Sequence, residues 1–311
     1  MKNILLTTFA LVAFAFNSIL CRMALGTDEI DAASFTAVRL LAGATMLIVI
    51  SYFFSKKKGG NRSGSEGVSS RGEMSAGGSE NTLPTGRVSA FEKHGSWRSA
   101  FFLFAYAICF SFAYLGLTTA TGALILFSSV QMTMIGVTWF KGERPGALEW
   151  LGLAVAVGGL VYLVFPGLSS PPLASSILMS SAGIAWGFYT LRGRGSADPL
   201  ADTAGNFIRT LPFALLFLIP FLANLNSSNR GVLLAVLSGA LASGVGYTVW
   251  YAALKFHAAT RAAVLQLAVP VIAAAGGVIF LSETAGSRLL IAAALILGGI
   301  GLTIFGRKRP S

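Results

Sequence analysis

Apolar residues run through this chain in blocks of about twenty, divided by short clusters of charge, Pro, Ser and Gly. A helix needs about 20 apolar residues to cross a hydrocarbon core roughly 30 Å thick. Ten blocks reach that length, near 3–24, 33–54, 98–118, 121–140, 147–165, 172–192, 204–222, 231–253, 261–281 and 286–305. Barrel strands would alternate polar and apolar positions over about 10 residues, a pattern missing here. The pattern therefore predicts an all-α integral membrane protein with ten transmembrane helices. The longest polar stretch, Ser55 to Gly95, holds Lys56, Lys57 and Lys58, scattered Glu66, Glu73, Glu80 and Glu92, and many Ser and Gly. It cannot bury a core and reads as a flexible cytoplasmic loop at about 55–97, with His94 solvated at its end.

Composition sharpens this picture. The 311 residues are 54% hydrophobic and 11% charged, with a mean hydropathy of +0.72, too few polar side chains to coat a soluble globule. The net charge of +11 does not indicate a nucleic-acid partner, because the cations lie between apolar runs and not on one polar face. They read as topology signals against a lipid bilayer. With the N-terminus inside, eighteen Lys and Arg fall on the cytoplasmic side, including Lys2, Lys141, Arg192 and Lys308, while the outer loops hold only Arg230 and Arg288. Asp28, Glu29 and Asp31 lie in the first outer loop. Both termini are thus expected in the cytoplasm of a bacterial inner-membrane protein. Cys21 and Cys109 sit in apolar runs without CxxC spacing or a nearby His, which points to packing and to neither metal nor disulfide. Leu20, where lipoprotein cleavage needs a small residue before Cys21, favours an uncleaved first helix.

The chain also repeats itself. A shift of 140 aligns Ala113-Tyr114 with Ala253-Leu254, Glu143 with Glu283, and Gly158-Gly159 with Gly298-Gly299; a shift of 170 pairs Arg39 with Arg209. The stretch Ala13-Phe14-Ala15-Phe16-Asn17 faces Ala185-Trp186-Gly187-Phe188-Tyr189. Two homologous halves, 1–165 and 166–311, follow, with five spans each. Five is odd, so the second half enters the membrane inverted, the arrangement on which alternating access is built.

These residues, together with Phe35 to Arg39, Gly142-Glu143-Arg144, Trp150-Leu151-Gly152, Pro270 and Ser282-Glu283, resemble the drug/metabolite transporter superfamily, and within it the EamA-type ten-helix transporters. The resemblance covers nearly all of the chain outside the long loop. It implies two EamA-like repeats and a secondary transporter, an exporter or permease, of small metabolites such as amino acids or related amphipathic compounds. Nucleotide-sugar or drug transport within the superfamily, and a non-transporting receptor or assembly factor, remain alternatives. The chain departs from the family pattern in carrying Phe14-Ala15 for a Trp-Gly pair, Val130 for a Pro, and Ser282 for a Gly.

Chemistry must then come from inside the spans. No Asp, Glu, Lys or His falls at a predicted span centre, and His94 and His257 lie in loops, so no acid–base pair, enzyme centre, metal or cofactor site is indicated. Arg22, Arg39 and Arg209 stand near span ends, where such side chains snorkel to the interface as anchors or phospholipid contacts, with substrate binding the alternative. The remaining candidates for a substrate cavity are Asn17, Tyr106, Gln131, Trp186, Tyr189, Tyr247, Trp250 and Gln266, amides and aromatics suited to an amphipathic solute. Pro270, near the middle of the ninth predicted span, would free a carbonyl or bend the helix. Glu143 and Glu283 precede spans, where a carboxylate complements a helix N-terminus or pairs with Arg144 or Arg288 as a structural or gating contact. Monomer and homodimer both stay open.

Overall fold

In hydrocarbon every backbone N–H and C=O must be paired within its own segment, so the apolar blocks fold as helices. The computed structural model describes residues 2–60, 94–140, 146–165, 167, 170–193, 196–254, 256 and 265–306. Their helical rods are α1 (Lys2–Leu25), α2 (Ala32–Gly60), α3 (Trp97–Ala113), α4 (Thr119–Phe140), α5 (Ala147–Val164), α6 (Leu173–Gly193), α7 (Pro199–Leu218), α8 (Asn229–Leu254), α9 (Ala268–Leu281) and α10 (Ser287–Phe305). Seven of these are long and apolar enough to cross a membrane on length and composition alone, and α3 and α9 are shorter apolar helices. One boundary differs from expectation: the α2 helix continues to Gly60, past its apolar block. The rod α8 is also not uniform: a π-helical stretch, Ser238–Val245, separates its two α-helical ends.

The packing has the form that two inverted repeats require. Helix α5 packs on α10, α4 on α9 and α2 on α7; α3 on α6 is mirrored by α8 on α1, and α3 on α7 by α8 on α2. Exchanging the halves leaves this pattern unchanged. The main contacts run between halves, so the repeats interdigitate and leave their axis at the centre of the bundle. Small residues permit a close seam between α5 and α10: a Cβ on Gly152 would fall 2.5 Å from the Gly299 carbonyl oxygen, and one on Gly299 would fall 2.5 Å from the Ala156 nitrogen.

The same joint is built once on each face. On one, Asp31 caps α2 by accepting from Ala33 N (3.0 Å) and Ser34 N (2.9 Å), and also accepts from Asn226 N (3.1 Å) in the turn before α8. Ile30 bridges Ser227, and the Ser228 hydroxyl caps α8 through Gly231 N. On the other face Asp202 of α7 accepts from Gly95 N (3.0 Å), Asn206 accepts from Ser96 N (2.9 Å), and the Ser96 hydroxyl caps α3 through Ser99 N. Gly95 has φ +77°, and a Cβ there would meet the Asn206 side-chain oxygen at 2.7 Å. His94 keeps the solvated loop position expected, its side chain 42% exposed, but it is also tied down: its ring nitrogen lies 3.3 Å from Asp202, and its carbonyl accepts from Arg209 at 2.6 Å. That bond also removes Arg209 from the role of a free interfacial anchor.

Asp31 carries a pH dependence. Burial pushes its carboxyl up, but the bonds from Ser34, Asn226 and Ala33 outweigh it and hold the group below the usual carboxylate range. A lowered folded-state pKa stabilises the joint above the unfolded value of about 3.9 and loses that contribution as pH falls through the folded value. Thermal unfolding followed from pH 7 to pH 3 should show an acid-induced loss that Asp31→Asn flattens.

Candidate functional site

An amide in the middle of a membrane helix has to find its partners among neighbouring helices. Asn17 of α1 does so twice: its Nδ2 donates to the Tyr106 hydroxyl of α3 (3.0 Å), and its Oδ1 accepts from the Ser238 hydroxyl of α8 (2.6 Å). One side chain thus ties three rods at the level where the π-helical stretch begins. Such stretches recur at functional sites because they reset the register of a helix face.

Around this relay stands an aromatic cluster. The Trp186 ring centroid lies 4.7 Å from Tyr247, 4.9 Å from Tyr106 and 5.4 Å from Tyr189; Phe14 meets Trp250 at 5.7 Å and Tyr247 at 5.8 Å, edge to face. The cluster closes on a small central space lined by Phe14, Asn17, Tyr106, Phe110, Leu126, Phe127, Trp186 and Tyr247. Its free volume of ≈ 10 Å³ admits about one water.

Of the eight residues expected in a cavity, Asn17, Tyr106, Trp186 and Tyr247 line it. Tyr189 and Trp250 stand behind the wall in the ring cluster, and Gln131 and Gln266 are buried outside it. Phe110, Leu126, Phe127 and Ser238 escape a search for amides and phenols, and Phe14 shows in the sequence only as a departure from the family pattern. Pro270 lies in the first turn of the described helix α9, where its missing N–H costs no bond within that helix. Glu143 and its neighbour Arg144 lie outside the described residues, as does His257.

The largest correction concerns Arg39, expected to reach the interface. It is 2% exposed, enclosed by the rings of Phe110, Tyr106 and Phe35 at 5.0, 5.4 and 6.0 Å from its guanidinium carbon. Two turns into α2, with the backbone of α8 pressed against its own at Gly239, it has no path outward. Two signals set it apart in the sequence, its pairing with Arg209 under the 170-residue shift and its place in the Phe35 to Arg39 stretch.

Glu283 also departs from expectation. It pairs with neither Arg288 nor the helix that follows it. Its carboxylate crosses to the other half, accepting from Thr119 N at the start of α4 (2.9 and 3.0 Å) and lying 3.5 Å from Arg22 Nε of α1. Arg22 in turn donates to the Tyr114 carbonyl at 2.9 Å. Arg288 is spent on the carbonyls of Tyr162, Leu163 and Phe165. Ser282, where the family favours Gly, adopts φ 53°, the left-handed conformation that Gly accepts without cost. This cluster, α1, α4 and the end of α9, forms a latch at the face that carries the Asp31 joint.

Interdigitated inverted repeats around a polar and aromatic centre give this chain the architecture of a multi-pass membrane transporter. The model of the EamA-like transporter family matches residues 173–305. An uncharacterised protein of Pseudomonas aeruginosa is 44% identical over 306 residues, 98% of this chain and 96% of its own. A probable amino-acid metabolite efflux pump of Salmonella typhimurium is 26% identical over 216 residues, 65% of this chain and 72% of its own. A protein of known crystal structure, 18% identical, shares the fold over 95% of this chain and 98% of its own, with a TM-score of 0.58. The chain belongs to the EamA-like transporter family, within the drug/metabolite transporter superfamily.

Proposed function

We propose that this protein exports small amphipathic metabolites, amino acids foremost, by alternating access around the central cavity. The observation that carries the reading is the wall itself: an amide relay and a ring cluster on the axis between two inverted halves. Rings take the apolar part of such a solute, and the amide and phenols take its polar end. The efflux-pump relative supports amino acids as the class. A nucleotide sugar would call for several cations around its diphosphate, whereas among the described residues Arg39 alone stands near this wall. The halves 1–165 and 166–311 act as the two EamA-like units, both termini are cytoplasmic, and the latch face is external, as the distribution of Lys and Arg favours.

Proteoliposomes loaded with a panel of radiolabelled amino acids test this. At least one should exchange faster than in protein-free vesicles, and Trp186→Ala, which opens the ring cluster, should lower that rate by about tenfold. No flux in either orientation across the panel would sink the proposal.

A further inference from the structure

Arg39 is the one charged side chain among the fully buried described residues, and its Nη1 has no hydrogen-bond partner there. No described carboxylate is within ion-pair distance of it. Ring faces compensate a cation in part, but they leave Nη1 of the planar fork without an acceptor. A buried cation that lacks its anion is costly to keep, so an anion that arrives at it gains far more than it would at the surface.

Two of the rings that cover the guanidinium, Tyr106 and Phe110, also line the central cavity. The wall between the cation and the cavity is therefore one ring thick. Tyr106 is held in place by its hydroxyl bond from Asn17, which depends in turn on Ser238 at the start of the π-helical stretch. A movement of α3 against α1 and α8 would break that relay and free Tyr106, opening the fork to the cavity.

The geometry points to Arg39 as the carboxylate anchor of the substrate, with an ammonium group resting on the rings of Trp186, Tyr247 and Phe14. The substrate class is then small zwitterions with a free carboxylate, and carboxamides or esters of the same side chain are rejected. This rests on the cavity being the substrate site.

The test uses the full-length protein in nanodiscs and follows thermal unfolding with matched pairs: L-leucine against L-leucinamide, and L-phenylalanine against its amide. In the wild type the half-saturating concentration should be at least about tenfold lower for each acid than for its amide. R39Q should erase that gap, and R39K, which keeps the charge but not the fork, should narrow it. An equal response to acid and amide, no response to either acid, or an undiminished gap in R39Q overturns the anchor. If R39Q does not fold, R39K decides, and an unchanged gap there overturns it as well. Flux separates this result from the transport reading. An acid preference in binding without any flux removes transport and keeps the anchor; amides carried as fast as acids keep transport and remove the anchor.

Discussion

Gly239→Ala should fail to accumulate as a monodisperse, folded protein, although it adds a single methyl group to a helix. The π-helical stretch of α8 brings Gly239 onto the backbone of α2 at Arg39. A Cβ built there would sit 2.8 Å from the Arg39 carbonyl carbon and 2.9 Å from its Cα, with the carbonyl oxygen nearer still. Both sides of that contact are backbone, so no rotamer change relieves it and the two rods must part. Overpacking of a core ordinarily costs about 1–3 kcal/mol, and the upper end applies where only rigid atoms can move. The separation would also pull Ser238 from Asn17 and uncover Arg39. Fluorescence-detected size exclusion and thermal unfolding in detergent measure the loss. Gly298→Ala in α10 is the control: nothing lies within 4 Å of a Cβ there, so replacing a helical Gly should be neutral or stabilise by up to about 1 kcal/mol. Equal melting temperatures for the two variants would refute the account.

Removing the latch should change which side of the membrane sees the cavity. In Glu283→Ala the N–H of Thr119 and the Arg22 guanidinium lose a common acceptor whose side chain is only 12% exposed. Charge-assisted bonds of this kind contribute about 1.5–3 kcal/mol, so the balance of states should shift by roughly 10- to 100-fold toward opening at the latch face. A single cysteine at Phe110, placed in a background where Cys21 and Cys109 are replaced by Ala, reports the shift. A membrane-impermeant maleimide added from the latch side should label it faster in the Glu283→Ala background. Glu283→Asp, whose shorter arm still offers a carboxylate, should lie between. Unchanged labelling would assign Glu283 to static capping of α4 alone.

Much of the architecture was legible because hydrocarbon imposes one rule on every span. Block length located the rods, and self-similarity located the inversion, since both are properties of the chain as a line. What escaped depends on contacts between distant segments. The rule that placed Arg39 at the interface measures distance from a helix end and takes no account of Phe35, Tyr106 and Phe110 standing in the way. Glu283 was referred to its sequence neighbours, whereas its partners are 164 residues away on α4 and beyond that on α1. The π-helical stretch, SGALASGV, has the composition of any close-packing small-residue segment, so its extra backbone width left no mark in residue type. The tie on His94 left no mark in the sequence because the Asp202 and Arg209 that hold it lie in the other half.

The central space holds about one water, and any metabolite is larger than that. Its entry therefore requires mechanical work against the ring cluster and the Asn17 relay before a contact is gained. The measured dissociation constant then includes the rarity of the open form, so weak apparent affinity is compatible with close and selective contacts. Variants that loosen the cluster while keeping the rings that meet the solute would bind more tightly and discriminate less, because they no longer charge each solute for the opening.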